Sequence, residues 1–195
     1  VSDAVAIQQT SFPTTTVLAD GTRVLIRPLV PQDKGDLLRG FDRLSVRSRR
    51  FRFFTSLRRL TPRQLQLLTE VDQRDHVALG VRDLSRQDQP GIAIGRLIRL
   101  DGEPEVAEFA VTVIDEYQGR GLGSLLIGML LGMARERGVR TLRGYLLEDN
   151  LAMIRILGKL GARMSRDSGN VLRAELAVGP APAVITTLTD DPNSG

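Results

Sequence analysis

The residues of this chain that could do chemistry fall into two groups: a glycine-rich run suited to an anion, and a few isolated titratable side chains. The run is Gln118-Gly119-Arg120-Gly121-Leu122-Gly123-Ser124. An apolar, alternating stretch ends just before it, at Ile114. Just after it, Leu122, Leu125, Leu126, Met129, Leu130 and Met133 recur in steps that lie on one face of a helix. The order is therefore strand, loop, helix. Glycine lets backbone N–H groups approach a ligand with no side chain in the way. The helix start adds unpaired N–H groups and a partial positive charge. Together these make an anion site, most naturally for a phosphate or pyrophosphate. Two better-known phosphate loops do not fit. The dinucleotide fingerprint needs G-x-G-x-x-G, and glycines 119, 121 and 123 are evenly spaced; the P-loop needs a lysine before Ser124, and Gly123 stands there.

The other chemistry-bearing side chains are few. Glu108 lies on the strand that feeds the loop, on the face opposite Phe109, Val111 and Val113. Glu105 lies on the other face, nearer a turn. His76 is the single histidine, so a histidine-rich metal site is excluded. There is no cysteine, hence no disulfide, no thiolate nucleophile and no cysteine metal site. No metal is expected. Tyr117 and Tyr145 read as packing residues, and His76, at a strand start, is at most a substrate-side group.

Around these residues stands a chain of 195 residues, enough for one domain with a substantial core. Its 42% hydrophobic and 26% charged content are those of a soluble globular protein. No apolar run is long enough for a membrane span, and no secretory signal is visible. The net charge of +4 suits acidic ligands without demanding nucleic acid.

The elements that must position the site follow from periodicity and caps. Residues 1–17 read as a flexible arm. Arg23 to Pro28 is a first strand, and Leu37, Leu38, Phe41 and Leu44 give a helix over about Gln32 to Ser45. From Arg43 to Thr69 there are eight arginines and no acidic residue, with Phe51, Phe53 and Phe54 between them. This stretch is either a nucleic-acid or acidic-partner surface, or packed phenylalanines with arginines that are solvated or paired to distant carboxylates. The second is the expectation. Thr61-Pro62-Arg63-Gln64 is a capped helix start. Strands follow over Asp75–Arg82, Gly91–Leu100 and Glu105–Ile114. The loop's own helix ends at Gly138. A strand over Arg140–Leu147 precedes a helix capped by Asn150 and closed by Gly161. Two short strands flank Ser168-Gly169-Asn170, and residues 179–195 read as a disordered tail.

The resulting order, β-α-α-β-β-β-α-β-α-β-β, is a mixed α/β sheet protein. With Gln-x-x-Gly-x-Gly after a strand and Asn150 downstream, it resembles the GNAT acyltransferase superfamily over about residues 18–178. Asp20-Gly-Thr, Ile26-Arg-Pro, Arg50-Phe-Arg-Phe-Phe54, Asp75-His76 and Ala107-Glu-Phe-Ala-Val111 are similar to the acetyltransferase domains of bacterial protein lysine acetyltransferases. In that group a regulatory domain is often attached; 195 residues leave no room for one.

The resemblance implies transfer of acetyl from acetyl-CoA to an amine, most naturally a protein lysine. Backbone groups of Val111 and Val113 would hold the pantetheine arm. Gln118, Gly119, Arg120, Gly121, Leu122, Gly123 and Ser124 would wrap the pyrophosphate, and Asn150 would meet the far end of the arm. Glu108 would be the general base. A lysine amine, with a pKa near ~10.4, must lose a proton before it attacks. A carboxylate can accept that proton if burial raises its own pKa. Many GNAT members carry a tyrosine acid four residues before the glycine that ends the last helix; here that residue is Leu157. Other readings are a small-molecule amine acceptor and a non-catalytic acetyl-CoA sensor or interaction module. A cytoplasmic location follows from the cosubstrate; the acceptor's identity and the oligomeric state stay open.

Overall fold

The computed structural model describes residues 12–179. The calls on the start of the arm, residues 1–11, and on nearly all of the tail, residues 180–195, lie outside the described residues. The chain begins with β1 (Thr14–Val17) and β2 (Arg23–Pro28), then α1 (Lys34–Asp42), α2 (Val46–Phe53) and α3 (Pro62–Thr69). Next come β3 (His76–Asp83), β4 (Gly91–Leu100) and β5 (Glu103–Val113), then α4 (Leu122–Glu136) and β6 (Thr141–Leu147). Finally α5 (Leu151–Lys159) precedes β7 (Arg163–Ser168) and β8 (Val171–Ala177). The eight strands form one sheet in the order β1-β2-β3-β4-β5-β6-β8-β7. All neighbours are antiparallel except β5 and β6.

Two elements depart from the sequence reading. Residues 14–17 are not a loose arm: they pair with β2, Thr14 opposite Ile26. The run Thr14-Thr-Thr16 reads as loop by polarity, yet an edge strand exposed on one side tolerates it. The second is α2, inside the arginine-rich stretch. It has no buried residue, so no apolar stripe announces it. Its N-cap is Ser45, whose Oγ accepts from the Ser48 N–H at 3.1 Å. Phe54, in the left-handed region at φ 59°, ends it.

Capping marks the starts of α3 and α5 as expected. Thr61 and Gln64 exchange hydrogen bonds at the start of α3. Asn150 Oδ1 accepts from the Met153 N–H at the start of α5.

The helices cover both faces of the sheet. A β-carbon on Gly95 would sit 3.3 Å from Leu126, so α4 packs on the face carrying Gly95 and its register partner Val111. Leu122, Leu126, Ile127 and Leu130 are fully buried there with Leu79 and Leu97. Each such side chain contributes about 1.5–3 kcal/mol by leaving water. On the other face, Leu37 and Phe41 of α1, Phe53 of α2 and Leu68 of α3 cover Ile94, Arg96, Ala110 and Thr112.

Candidate active site: the cleft where β5 leaves β6

Parallel strands β5 and β6 pair only over Val106–Glu108 and Thr141–Arg143. Beyond Glu108 the two strands part. The Phe109 ring wedges at the parting, so close to Gly144 that a β-carbon there would lie 2.6 Å from its edge. The gap is a cleft of about 710 Å³, lined by both strands, α2, the glycine loop and α5.

The backbone of β5 faces this gap in a fixed alternation. The Ile114 N–H donates to Ile92 on β4, so even-numbered residues turn their polar groups toward β4. Odd-numbered Phe109, Val111 and Val113 turn theirs toward the cleft. The Val113 carbonyl accepts from Gln118 Nε2 at 3.0 Å. Val111 has β-strand hydrogen-bonding groups and, beyond Glu108, no strand opposite.

The loop takes its shape from left-handed glycines. Gly119 and Gly121 have φ of 76° and 85°, conformations strained for any side chain. Gly121 is the N-cap of α4 and carries no side-chain cap, so the first-turn N–H groups of Leu122, Gly123 and Ser124 have no side chain covering them. Gly123 has a packing reason as well: a β-carbon would lie 3.2 Å from Ile156 on α5.

Sequence-predicted residues divide here. Glu108, Val111, Val113, Gln118, Gly119, Gly121, Gly123, Ser124 and Asn150 all border the cleft. Leu122 borders it too, but the residue is 1% exposed and its side chain belongs to the core. Arg120 is a correction. Its guanidinium turns away, pairing with Asp20 at 2.9 Å, donating to the Glu116 carbonyl at 2.8 Å and lying over the Tyr117 ring. His76 is a second correction: it does not border the cleft. It packs under the helices, where its Nε2 meets Arg96 Nη1 at 3.2 Å. Burial, then the nearby Arg96 charge, pushes its pKa below the usual histidine value, so the ring is neutral near pH 7 and accepts that bond.

Glu108 stands at the cleft's end opposite the loop, exposed rather than buried as the sequence reading required of a base. It shares the α1–α3 face with Ala110 and Thr112.

The α2 residues are what sequence reasoning missed. Arg47, Ser48, Phe51, Arg52 and Phe54 line the cleft, as does Arg155 of α5. Positions 47, 48, 51 and 52 form one helix face, a pattern visible only once α2 is known to be helical. Asp115 fastens α2 to the loop: it accepts from Ser45 N–H at 2.9 Å, Ser45 Oγ at 2.7 Å and Ser48 Oγ at 3.0 Å. Burial works to raise the Asp115 pKa, but these bonds outweigh it and hold the carboxyl below its usual range. Gln118 Nε2 completes the tie to Ser48 Oγ at 3.1 Å. Of the remaining arginines, Arg49 donates to the backbone carbonyls of Asp42, Leu44 and Arg58, and two find distant carboxylates. Arg43 pairs with Glu116 and Arg50 with Asp149, while Phe53 packs on Phe41.

Tyr117 donates its hydroxyl to the buried Asp83 at 2.6 Å, and Leu157 is buried in the core. Among the described residues no three histidine, aspartate or glutamate side chains gather as a metal site would need, and no described helix is long and apolar enough to cross a membrane.

Known proteins resemble this chain in sequence and in fold. Residues 23–163 match the acetyltransferase (GNAT) domain family. The chain is 36% identical over 159 residues to Acetyltransferase Pat of Mycolicibacterium smegmatis, covering 82% of this chain and 47% of that protein. It thus spans about half of that relative's length. It is 32% identical over 158 residues to Acetyltransferase PA5475 of Pseudomonas aeruginosa, covering 80% and 84% of the two chains. The crystal structure of the GNAT domain of S. lividans PAT superposes with a TM-score of 0.78 at 29% identity, over 85% of this chain and 96% of that one. A strand that parts from its neighbour, a left-handed glycine loop and a helix opening onto the gap are what these matches span, and the chain belongs to the GNAT acetyltransferase family.

Proposed function

We propose that this chain transfers an acetyl group from acetyl-CoA to the side-chain amine of a protein lysine, with Glu108 as general base. The observation that carries this reading is the juxtaposition along one cleft of the glycine loop at one end and Glu108 at the other. The residues fit acetyl-CoA. Its diphosphate suits the uncapped N-terminus of α4, with Arg47 and Arg155 adding positive charge nearby. A β-carbon at Gly119 or Gly121 would meet no protein atom within 4 Å, so the loop leaves open space beside its backbone. The amide-rich pantetheine arm suits the cleft-facing backbone of Val111 and Val113.

When bound, acetyl-CoA supplies an acyl thioester. Glu108, at the open mouth, takes a proton from the arriving ammonium, directly or through one water. The freed amine nitrogen bonds to the acyl carbon, the carbon–sulfur bond breaks, the nitrogen gives its second proton to water and the departing thiolate takes one from water, so the products are amide and thiol and the net proton is the one held by Glu108. The structure supplies no tyrosine acid at position 157. A thiol's pKa near ~8.5 makes such an acid less necessary than for an alkoxide. Glu108 is exposed before the acceptor arrives, and its desolvation would come from the acceptor surface closing over it.

The test is the mass of candidate acceptor proteins incubated with the chain and acetyl-CoA. A gain of one acetyl mass per modified lysine supports transfer, and binding of acetyl-CoA with no acceptor modified would leave a sensor. Glu108→Gln should lower turnover by roughly a hundredfold or more while acetyl-CoA affinity holds. Full activity in that variant would move the base elsewhere.

A further inference from the structure

The two cations beside Glu108 have no part in acetyl transfer as described. Arg96 projects from β4 beneath α1–α3 and is 5% exposed. In register it faces Ala110, two residues along the same face from Glu108. Its guanidinium donates to the Leu68 carbonyl at 3.0 Å and meets His76 Nε2 at 3.2 Å, both neutral acceptors. Burial, then the nearby Arg52 charge, pulls its pKa down to about 9, so it is still a cation at neutral pH. Arg52, on α2, is half-buried; it lies over the Phe53 ring at 5.1 Å and feels the charge of Glu108.

Neither arginine has a carboxylate within ion-pair distance among the described residues. The far end of the same cavity is different. There Arg27 pairs with Asp33 at 2.6 Å, and Arg82 reaches both Asp33 and Asp36. Burying a charge without its counter-charge is costly. The fold thus neutralises its arginines at one end of this cavity and not at the end beside Glu108.

That cavity, about 90 Å³, has several times the space one water needs. Arg52, Ala110 and Thr112 border both it and the cleft, so the two spaces adjoin. The local charge is two guanidiniums against one carboxylate. A lone lysine ammonium would be repelled there, whereas an ammonium accompanied by a carboxylate would bring the sum closer to neutral.

We infer that Arg52 and Arg96 form an acceptor-side carboxylate pocket: the acceptor presents an acidic side chain near its lysine, and the two guanidiniums grip it while Glu108 faces the amine. The existence of the pocket does not depend on the acetyl-transfer reading; the identity of its occupant does.

Two measurements separate these. The first uses glutarate as a probe, followed by the ¹⁵N-resolved arginine Nε–H resonances, with coenzyme A held saturating so that sites for its phosphates are filled. Arginine resonances should shift saturably in the parent protein, lose that response in Arg52→Gln and regain part of it in Arg52→Lys. No saturable response overturns the pocket, even if the chain acetylates lysine. The second compares two peptides that differ only in Glu or Gln beside the lysine. The Glu peptide should have a kcat/KM about tenfold higher, the weight of one charge-assisted hydrogen bond, and Arg52→Gln should bring the ratio near one. Equal values in the parent overturn the acceptor role. Glutarate binding with neither peptide acetylated would uphold the pocket and defeat the acetyl-transfer reading.

Discussion

Gly144→Ala tests whether the parting of β5 and β6 is set by one side-chain contact. A β-carbon at Gly144 would lie 2.6 Å and 2.7 Å from two atoms of the Phe109 ring. Carbon atoms in good contact sit about 3.5–4.0 Å apart, so the ring would have to retreat by about 1 Å. Phe109 is 6% exposed and belongs to the core, so that movement disturbs packed neighbours. Overpacking of this kind costs about 1–3 kcal/mol. In a domain of this size each kcal/mol lowers the Tm by about 2–4 °C, so a cost of about 2 kcal/mol means a fall of about 4–8 °C. Thermal unfolding followed by circular dichroism reads this directly. The control is the same substitution in a Phe109→Leu background, where the smaller side chain leaves room and most of the added cost should vanish. The shifted ring also borders the cleft, so acetyl-CoA affinity should weaken in Gly144→Ala and recover in part in the double variant. A Tm within about 1 °C of the parent, or an equal cost in both backgrounds, would refute the wedge.

Further outcomes follow from the same geometry. Gly121→Glu places an anion and a strained left-handed residue at the start of α4, so calorimetry should find acetyl-CoA binding abolished; Arg120→Ala, whose side chain already faces Asp20, should bind within about threefold of the parent. His76 has a folded-state pKa below its ordinary 6.5, through burial and Arg96. Between those two values the unfolded chain binds more protons, so stability falls as pH drops below the ordinary histidine value. Urea unfolding at about pH 7.5 and 5.5 should show that loss, and His76→Gln, which can still accept from Arg96, should reduce it; an unchanged pH dependence would dissociate the loss from this ring. For the proposed transfer, the pH profile of kcat/KM should rise on one limb, from the base, with no falling limb from a tyrosine. A bell whose upper limb disappears in Tyr145→Phe would assign an acid to Tyr145, which borders the cleft and whose hydroxyl, unlike that of Tyr117, is not bonded to Asp83.

Local signals determined much of this protein. Gly119 and Gly121 shape the loop because only glycine adopts those left-handed angles cheaply, a constraint confined to a few residues, whereas Gly123 is required by its close approach to Ile156 on α5. Caps at Thr61 and Asn150 mark helix starts for the same reason: the partners lie within three residues. Alternation along β5 assigned Glu108 to the face opposite Phe109 before any partner strand was known. What depends on distant partners was not legible. Thr14–Val17 becomes a strand only because β2 is there to pair with it. The helix α2 has no stripe of its own and is held by Asp115, about seventy residues away in sequence, so its cleft-facing Arg47, Arg52 and Phe51 were hidden in a run of arginines. Arg120 reads as a phosphate ligand by its place in the loop, yet Asp20 claims it across 100 residues of chain. His76 and Arg96 meet only because β3 and β4 pair. Spacing along the chain sets which backbone groups can face a ligand; the direction of a long charged side chain is decided by whichever counter-charge folding brings within reach.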